Sequence, residues 1–178
     1  MRIYFLLGIS VLLHLYVGAR LVPDIPGVLP AMSVALLLVA SALFTPLGLF
    51  ARRVAEPPAS DRLAWIGLVF MGLFSSLLVF TALRDVLLVV GWLAWLVAPS
   101  VVPMDGLRTL SASAVPLLGV AVTLLGFVNA RRTAGVVTVD VPVARLPAAL
   151  HGFTIVQISD IHVGPTIRGP YVQASWTR

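Results

Sequence analysis

Residues 63–102 read LAWIGLVFMGLFSSLLVFTALRDVLLVVGWLAWLVAPSVV. A helix crosses a bilayer in about 20 apolar residues, and this run is far longer, broken only by Arg84-Asp85 and by Pro99. Either one helix continues past Asp85, along or beyond the membrane interface, or two spans meet at Arg84-Asp85. The stretch TALRDVLL (81–88) has neither glycine nor proline, which gives a tight turn little support. Basic residues decide between the two. With four spans in the whole chain, Arg2, Arg52, Arg53, Arg62, Arg131, Arg132 and Arg145 share one side, and Arg20 and Arg108 the other. With five spans, Arg2, Arg52, Arg53, Arg62 and Arg108 face Arg20, Arg84, Arg131, Arg132 and Arg145, and the asymmetry vanishes. Cytoplasmic loops carry an excess of Arg and Lys. The expectation is therefore four spans in the cell membrane, with both termini cytoplasmic.

The other spans are read from the same pattern. The first covers Ile3 to Ala19 and is followed by RLVPDIPGVLP (20–30), whose prolines stop helices. The second runs from Ala31 to Ala51 and ends at Arg52-Arg53; a polar linker, VAEPPASD (54–61), comes next. After PMDGLRTLSAS (103–113), the last span covers Val115 to Ala130 and closes at Arg131-Arg132. The opening residues also have some likeness to a signal peptide, with Val17-Gly18-Ala19 as a small-residue site. The apolar run is longer than a usual signal core, however, and a single positive charge precedes it.

Composition agrees. Apolar residues make up 60% of the 178, only 11% are charged, and the mean hydropathy is +1.05; soluble domains carry about 25% charged residues. The absence of cysteine excludes disulfides, thiolate metal sites and cysteine nucleophiles. All 12 basic residues are arginine and the pI is near 11.1. These arginines lie scattered at span ends rather than clustered on one face, so no nucleic-acid partner is expected; the lipid bilayer is.

Three ionisable residues fall within the apolar runs. His14 is a functional candidate by its place in an apolar run, but reads better as a neutral imidazole, either hydrogen-bonded to a neighbouring helix or near enough to the interface to be wet. Arg84 and Asp85 leave a helix about 100° apart and do not face each other, so each finds a separate partner or reaches the interface by snorkelling. So few polar groups leave a transporter or channel reading weak. Trp92 and Trp95, near Pro99, suit an aromatic belt at the membrane interface.

Beyond Arg132 the pattern changes. VVTVDVPV (136–143) alternates valine with other residues and predicts an edge strand, given Pro142. ARLPAALHG (144–152) is a connection, and FTIVQIS (153–159) predicts a second strand. That strand ends at Asp160, with His162 and Gly164 just beyond. A carboxylate and an imidazole at the carboxyl end of a strand can hold a divalent ion. Two ligands do not complete a site, and the pair equally suits an Asp that caps a turn beside an exposed His.

FTIVQISDIHVGPTIRGPYV (153–172) resembles the opening of a calcineurin-like metallophosphoesterase domain, of the type I-V-Q-[LI]-S-D-[LI]-H-x-G. VVTVDVPVARLPAALHGF (136–153) and the multi-span first half, with HLYVGARLVP (14–23), resemble the membrane-anchored branch of that family. The resemblance implies residues 1–132 as a transmembrane helical bundle. It implies residues 133–178 as the first strands of an incomplete αββα sandwich. Asp160 and His162 match the D-x-H motif, whose members ligate the first of two metal ions, commonly manganese, iron or zinc. Family members hydrolyse phosphate esters with a metal-activated hydroxide. The family's later motifs, G-D, G-N-H-[DE] and G-H-x-H, occur nowhere in the 178 residues. The chain is accordingly expected to be a truncated piece without catalytic activity of its own. The alternative is a small multi-pass membrane protein of structural or interaction type.

Overall fold

The computed structural model describes residues 2–132, 135–157, 164 and 173. The chain divides into two units, residues 1–130 and residues 131–178.

The first unit is helical. Its elements are α1 (Arg2–Leu21), α2 (Val28–Leu49), the single turn α3 (Ala51–Val54), α4 (Ala59–Val97) and α5 (Met104–Ala130). Four of them, all but α3, are long and apolar enough to cross a membrane. α1 stops where Pro23 and Pro26 remove backbone donors, and a 3₁₀ turn, Val22–Asp24, carries the chain over. Gly27, at φ +86°, re-aims it into α2.

The long apolar run is one helix. α4 has 39 residues, or about 58 Å at 1.5 Å per residue, nearly twice a hydrocarbon core of about 30 Å. It passes through Arg84-Asp85 unbroken and ends at Val97, because Pro99 disfavours helical geometry at Ala98 (φ −137°, ψ 71°). The four-span reading therefore holds in the helix count, and a turn at Arg84-Asp85 is excluded.

α5 differs from its expected extent, starting at Met104 rather than near Val115. Its polar opening is compatible with helix because the hydroxyls turn inward along it. Ser111 Oγ donates to the Leu107 carbonyl at 2.6 Å and Ser113 Oγ to that of Thr109 at 2.9 Å. Asp105 in the first turn complements the helix dipole.

Packing is close where residues are small. α2 and α4 cross at Gly48 and Gly67: a Cβ on Gly48 would lie 2.5 Å from the Gly67 Cα. Farther along, Gly119 of α5 receives Leu77 of α4, and Gly91 of α4 receives Leu107 of α5. Membrane helices associate through such approaches, since lipid tails are as apolar as the helices. Val17, Leu21, Leu38, Phe74, Leu77 and Val115 form the buried centre. Most remaining apolar side chains, such as Leu36, Val79 and Leu125, face outward, as a lipid-facing bundle requires.

The second unit corrects an expectation. No strand is formed among its described residues. Val136–Val143 and residues 153–157 are irregular, and Val137, Val139, Val141, Phe153 and Ile155 are exposed. Alternating valines favour a strand only when a neighbour accepts and donates the ladder bonds, and neither described segment supplies that neighbour to the other. The connection between them holds a 3₁₀ turn, Ala148–Leu150. Residues 158 and 159 of the second expected strand lie outside the described residues.

Candidate functional site

The predicted metal ligands Asp160 and His162 lie outside the described residues. Among the described residues, no group of three or more His, Cys, Asp or Glu side chains could hold a metal ion. Two donors are also fewer than the three or four that a protein site normally supplies, so further ligands are needed to hold an ion beside Asp160 and His162.

What the structure does bring together is a polar cluster in the helical unit, built around Arg84. The uncharged interval Leu63–Leu83 spans about 31 Å, one hydrocarbon thickness, which places Arg84 and Asp85 a full crossing away from Asp61-Arg62. The Arg84 side chain is 1% exposed. Its Nε donates to Ser111 Oγ at 3.0 Å and its Nη1 to the Arg20 carbonyl at 2.8 Å. Its Nη2 donates to Asp24 Oδ2 and, at 3.3 Å, to the Arg108 carbonyl. One guanidinium thus fastens α4 to the end of α1, to the following 3₁₀ turn and to the start of α5. The Arg20 carbonyl is among the last in α1, where acceptors have no partner within the helix.

Asp85 has a different set of partners, as its position 100° around the helix requires. Arg20 Nε donates to both of its carboxylate oxygens, at 2.8 and 2.9 Å, and the Tyr16 hydroxyl donates to Oδ2 at 2.8 Å. The sequence reading separated Arg84 from Asp85 correctly but missed Arg20 and Asp24 as their partners. The available signal was charge balance: Arg20 and Asp24 lie at the two ends of the first turn region, and Arg84 and Asp85 lie side by side within the long helix.

His14 occupies a second polar site. Its Nδ1 lies 2.7 Å from the Ser10 carbonyl and its Nε2 lies 3.0 Å from Ser41 Oγ. A carbonyl can only accept, so Nδ1 carries a proton; in the neutral ring Nε2 then accepts from the Ser41 hydroxyl. The ring stacks on Phe74 with centroids 3.6 Å apart. His14 thereby joins α1, α2 and α4, as a hydrogen-bonded imidazole between helices was expected to do.

Neither polar site has the donors of a hydrolytic metal centre, so family evidence rests on comparison. One curated relative, "transmembrane protein with metallophosphoesterase domain" of Bos taurus, is 42% identical over 79 residues, covering 42% of this chain and 17% of the relative. The protein of the same name from Danio rerio is 41% identical over 51 residues, covering 29% of this chain and 12% of the relative. The chain is similar to the transmembrane metallophosphoesterases. The resemblance seen in its sequence stands on these relatives, over short stretches. No family model matches the chain, and no solved structure does. With 17% and 12% of those transmembrane metallophosphoesterases covered, the matches represent only a small part of each.

Proposed function

We propose that this chain carries the membrane anchor and the first metal-binding motif of a metal-dependent phosphoesterase. The observation that carries this reading is the run IVQISDIHVG (155–164) following four membrane-length helices. In this reading residues 133–178 open the metallophosphoesterase domain, and Asp160 and His162 are two ligands of the first metal ion. Manganese, iron or zinc would supply an activated hydroxide when bound. The carboxylate suits a hard or borderline divalent ion and the imidazole suits iron or zinc. In this reading catalysis also needs bridging and second-ion ligands beyond Asp160 and His162. The substrate class is a phosphate ester.

Two measurements test this. The DNA downstream of the Asp160 and His162 codons is expected to encode G-D, G-N-H-[DE] and G-H-x-H in that order, in some frame; their absence from every frame removes the reading. The chain joined to that frame, purified in detergent, is expected to hydrolyse bis-p-nitrophenyl phosphate with added Mn²⁺. Asp160→Ala should lower turnover more than about a hundredfold, since even outer-shell partners of metal ligands cost 10–100-fold. Equal turnover in the variant would contradict a ligand role for Asp160.

The proposed orientation is cytoplasmic for both termini, from the arginine asymmetry. A cytoplasm-active reporter fused after Arg132 is expected to give signal, and one fused in the α4–α5 connection at Ser100 is not. The reverse pattern would overturn this topology.

A further inference from the structure

We propose that two copies of this chain pair along the open face of α4. Val79, Leu83, Val86, Val90, Leu93 and Val97 lie on that face, each at least 51% exposed. At 3.6 residues per turn they fall within about 40° of one line along the helix. Leu77, Arg84 and Gly91, which meet Gly119, the end of α1 and Leu107, lie on the other side of α4.

Lipid covers only part of this face. Arg84 and Asp85 stand one hydrocarbon thickness from the charged start of α4, and residues 86–97 carry the helix about 18 Å farther. The headgroup layer on one side of a bilayer is only about 5–7 Å deep. The overhang carries no charge. Its Gly91 packs on Leu107 and Met104 of α5, which leaves the opposite side, with Val86, Val90, Leu93 and Val97, bare to water. A contiguous apolar surface of this kind gains by being covered.

Length and spacing select the occupant. A partner for the whole face is an apolar helix that crosses the bilayer and continues past it by the same distance. Among the described residues α4, with 39 residues, is the helix of that length, so a second copy inserted in the same orientation presents the matching face. The six side chains follow one another at alternating intervals of four and three residues, the a and d positions of a heptad. Val90 and Val97 then fall at a and Leu93 at d, the arrangement that favours two parallel strands. No charge on the face opposes its own copy across a two-fold axis.

The test uses the whole chain reconstituted in liposomes at large lipid excess. The chain has no cysteine, so each introduced thiol reports one position. Val86→Cys and Leu93→Cys, both at d, are expected to form disulfide-linked dimers at least about tenfold faster than Trp92→Cys, the gain from burying one such side chain. Trp92 is half exposed but lies more than about 100° around the helix from the face. Energy transfer between donor- and acceptor-labelled pools reads the monomer–dimer midpoint. Val90→Glu should move that midpoint at least about tenfold toward higher protein-to-lipid ratio. The Val90 side chain is exposed, so this variant should keep the wild-type helical circular dichroism. Equal rates at the three cysteine positions, or a midpoint unmoved by Val90→Glu, would overturn the pairing. Monomer at every protein-to-lipid ratio would also overturn it, and would leave the face to a different chain with an overhanging membrane helix.

Discussion

Arg84→Ala is expected to destabilise the helical unit by about 3 kcal/mol, the lower end of the cost of breaking a buried ion pair. The lower end applies because Asp24, left without its partner, is 32% exposed and water relieves part of its charge. The remaining loss comes from the Arg20 and Arg108 carbonyls and Ser111, which all accept from the same guanidinium. No single replacement side chain reproduces five donors in a fixed fork, so Arg84→Lys should recover less than half. Unfolding in mixed micelles of mild detergent and dodecyl sulfate would measure the change. Asp24→Asn combined with Arg84→Met should be more stable than Arg84→Met alone, because no uncompensated carboxylate remains. If the single variant unfolds like wild type, Arg84 is not a fastening point between the helices.

Gly48→Leu should have an effect of similar size by a different route. A Cβ at this position already falls 2.5 Å from the Gly67 Cα and 3.0 Å from the Leu63 carbonyl oxygen. These are backbone atoms, so α2 and α4 must separate to admit any side chain. Gly48→Ala is expected to cost about 1–3 kcal/mol, as overpacking does, and Gly48→Leu enough to part the two helices. Gly67→Ala strains the same contact from the other helix, so the double Ala variant should cost less than the two single effects added. Gly72 supplies the control: nothing lies within 4 Å of its Cβ position, and Gly72→Ala should be neutral or gain up to about 1 kcal/mol of helix propensity. A cysteine pair spanning α2 and α4 near the crossing would report the separation through its crosslinking rate. Equal stability of Gly48→Leu and Gly72→Ala would show that the crossing contributes nothing.

The helices were legible from the sequence because each element of the argument is local. Runs of about 16 or more apolar residues, prolines or arginines near their ends, and no breaker at TALRDVLL were enough to count four spans and to keep α4 whole. The start of α5 was not legible, since LRTLSAS reads as a polar connection until its hydroxyls find carbonyls of their own helix. The strand expected over residues 136–143 is not formed, for a physical reason too. Val137, Val139, Val141 and Val143 express a preference for a pleated surface, but a strand exists only as one side of a ladder, and the partner is a property of the assembled sheet.

The candidate sites divide in the same way. SDIHVG is a contiguous motif, so Asp160 and His162 could be singled out with no knowledge of the fold. The Arg84 cluster could not be. Arg20, Asp24, Arg84, Asp85, Arg108 and Ser111 are spread over three parts of the chain, and nothing in their spacing indicates that they meet. Sequence alone determined that the chain has four helices of membrane-spanning length and a terminal run that resembles the opening of a metallophosphoesterase domain, because hydropathy and motifs are written in consecutive residues. Only the tertiary structure decided that a buried arginine fastens α1, α4 and α5 at one end of the long helix. That pairing follows from which helix faces meet, and it is set by close contacts such as Gly48 on Gly67 and Leu77 on Gly119.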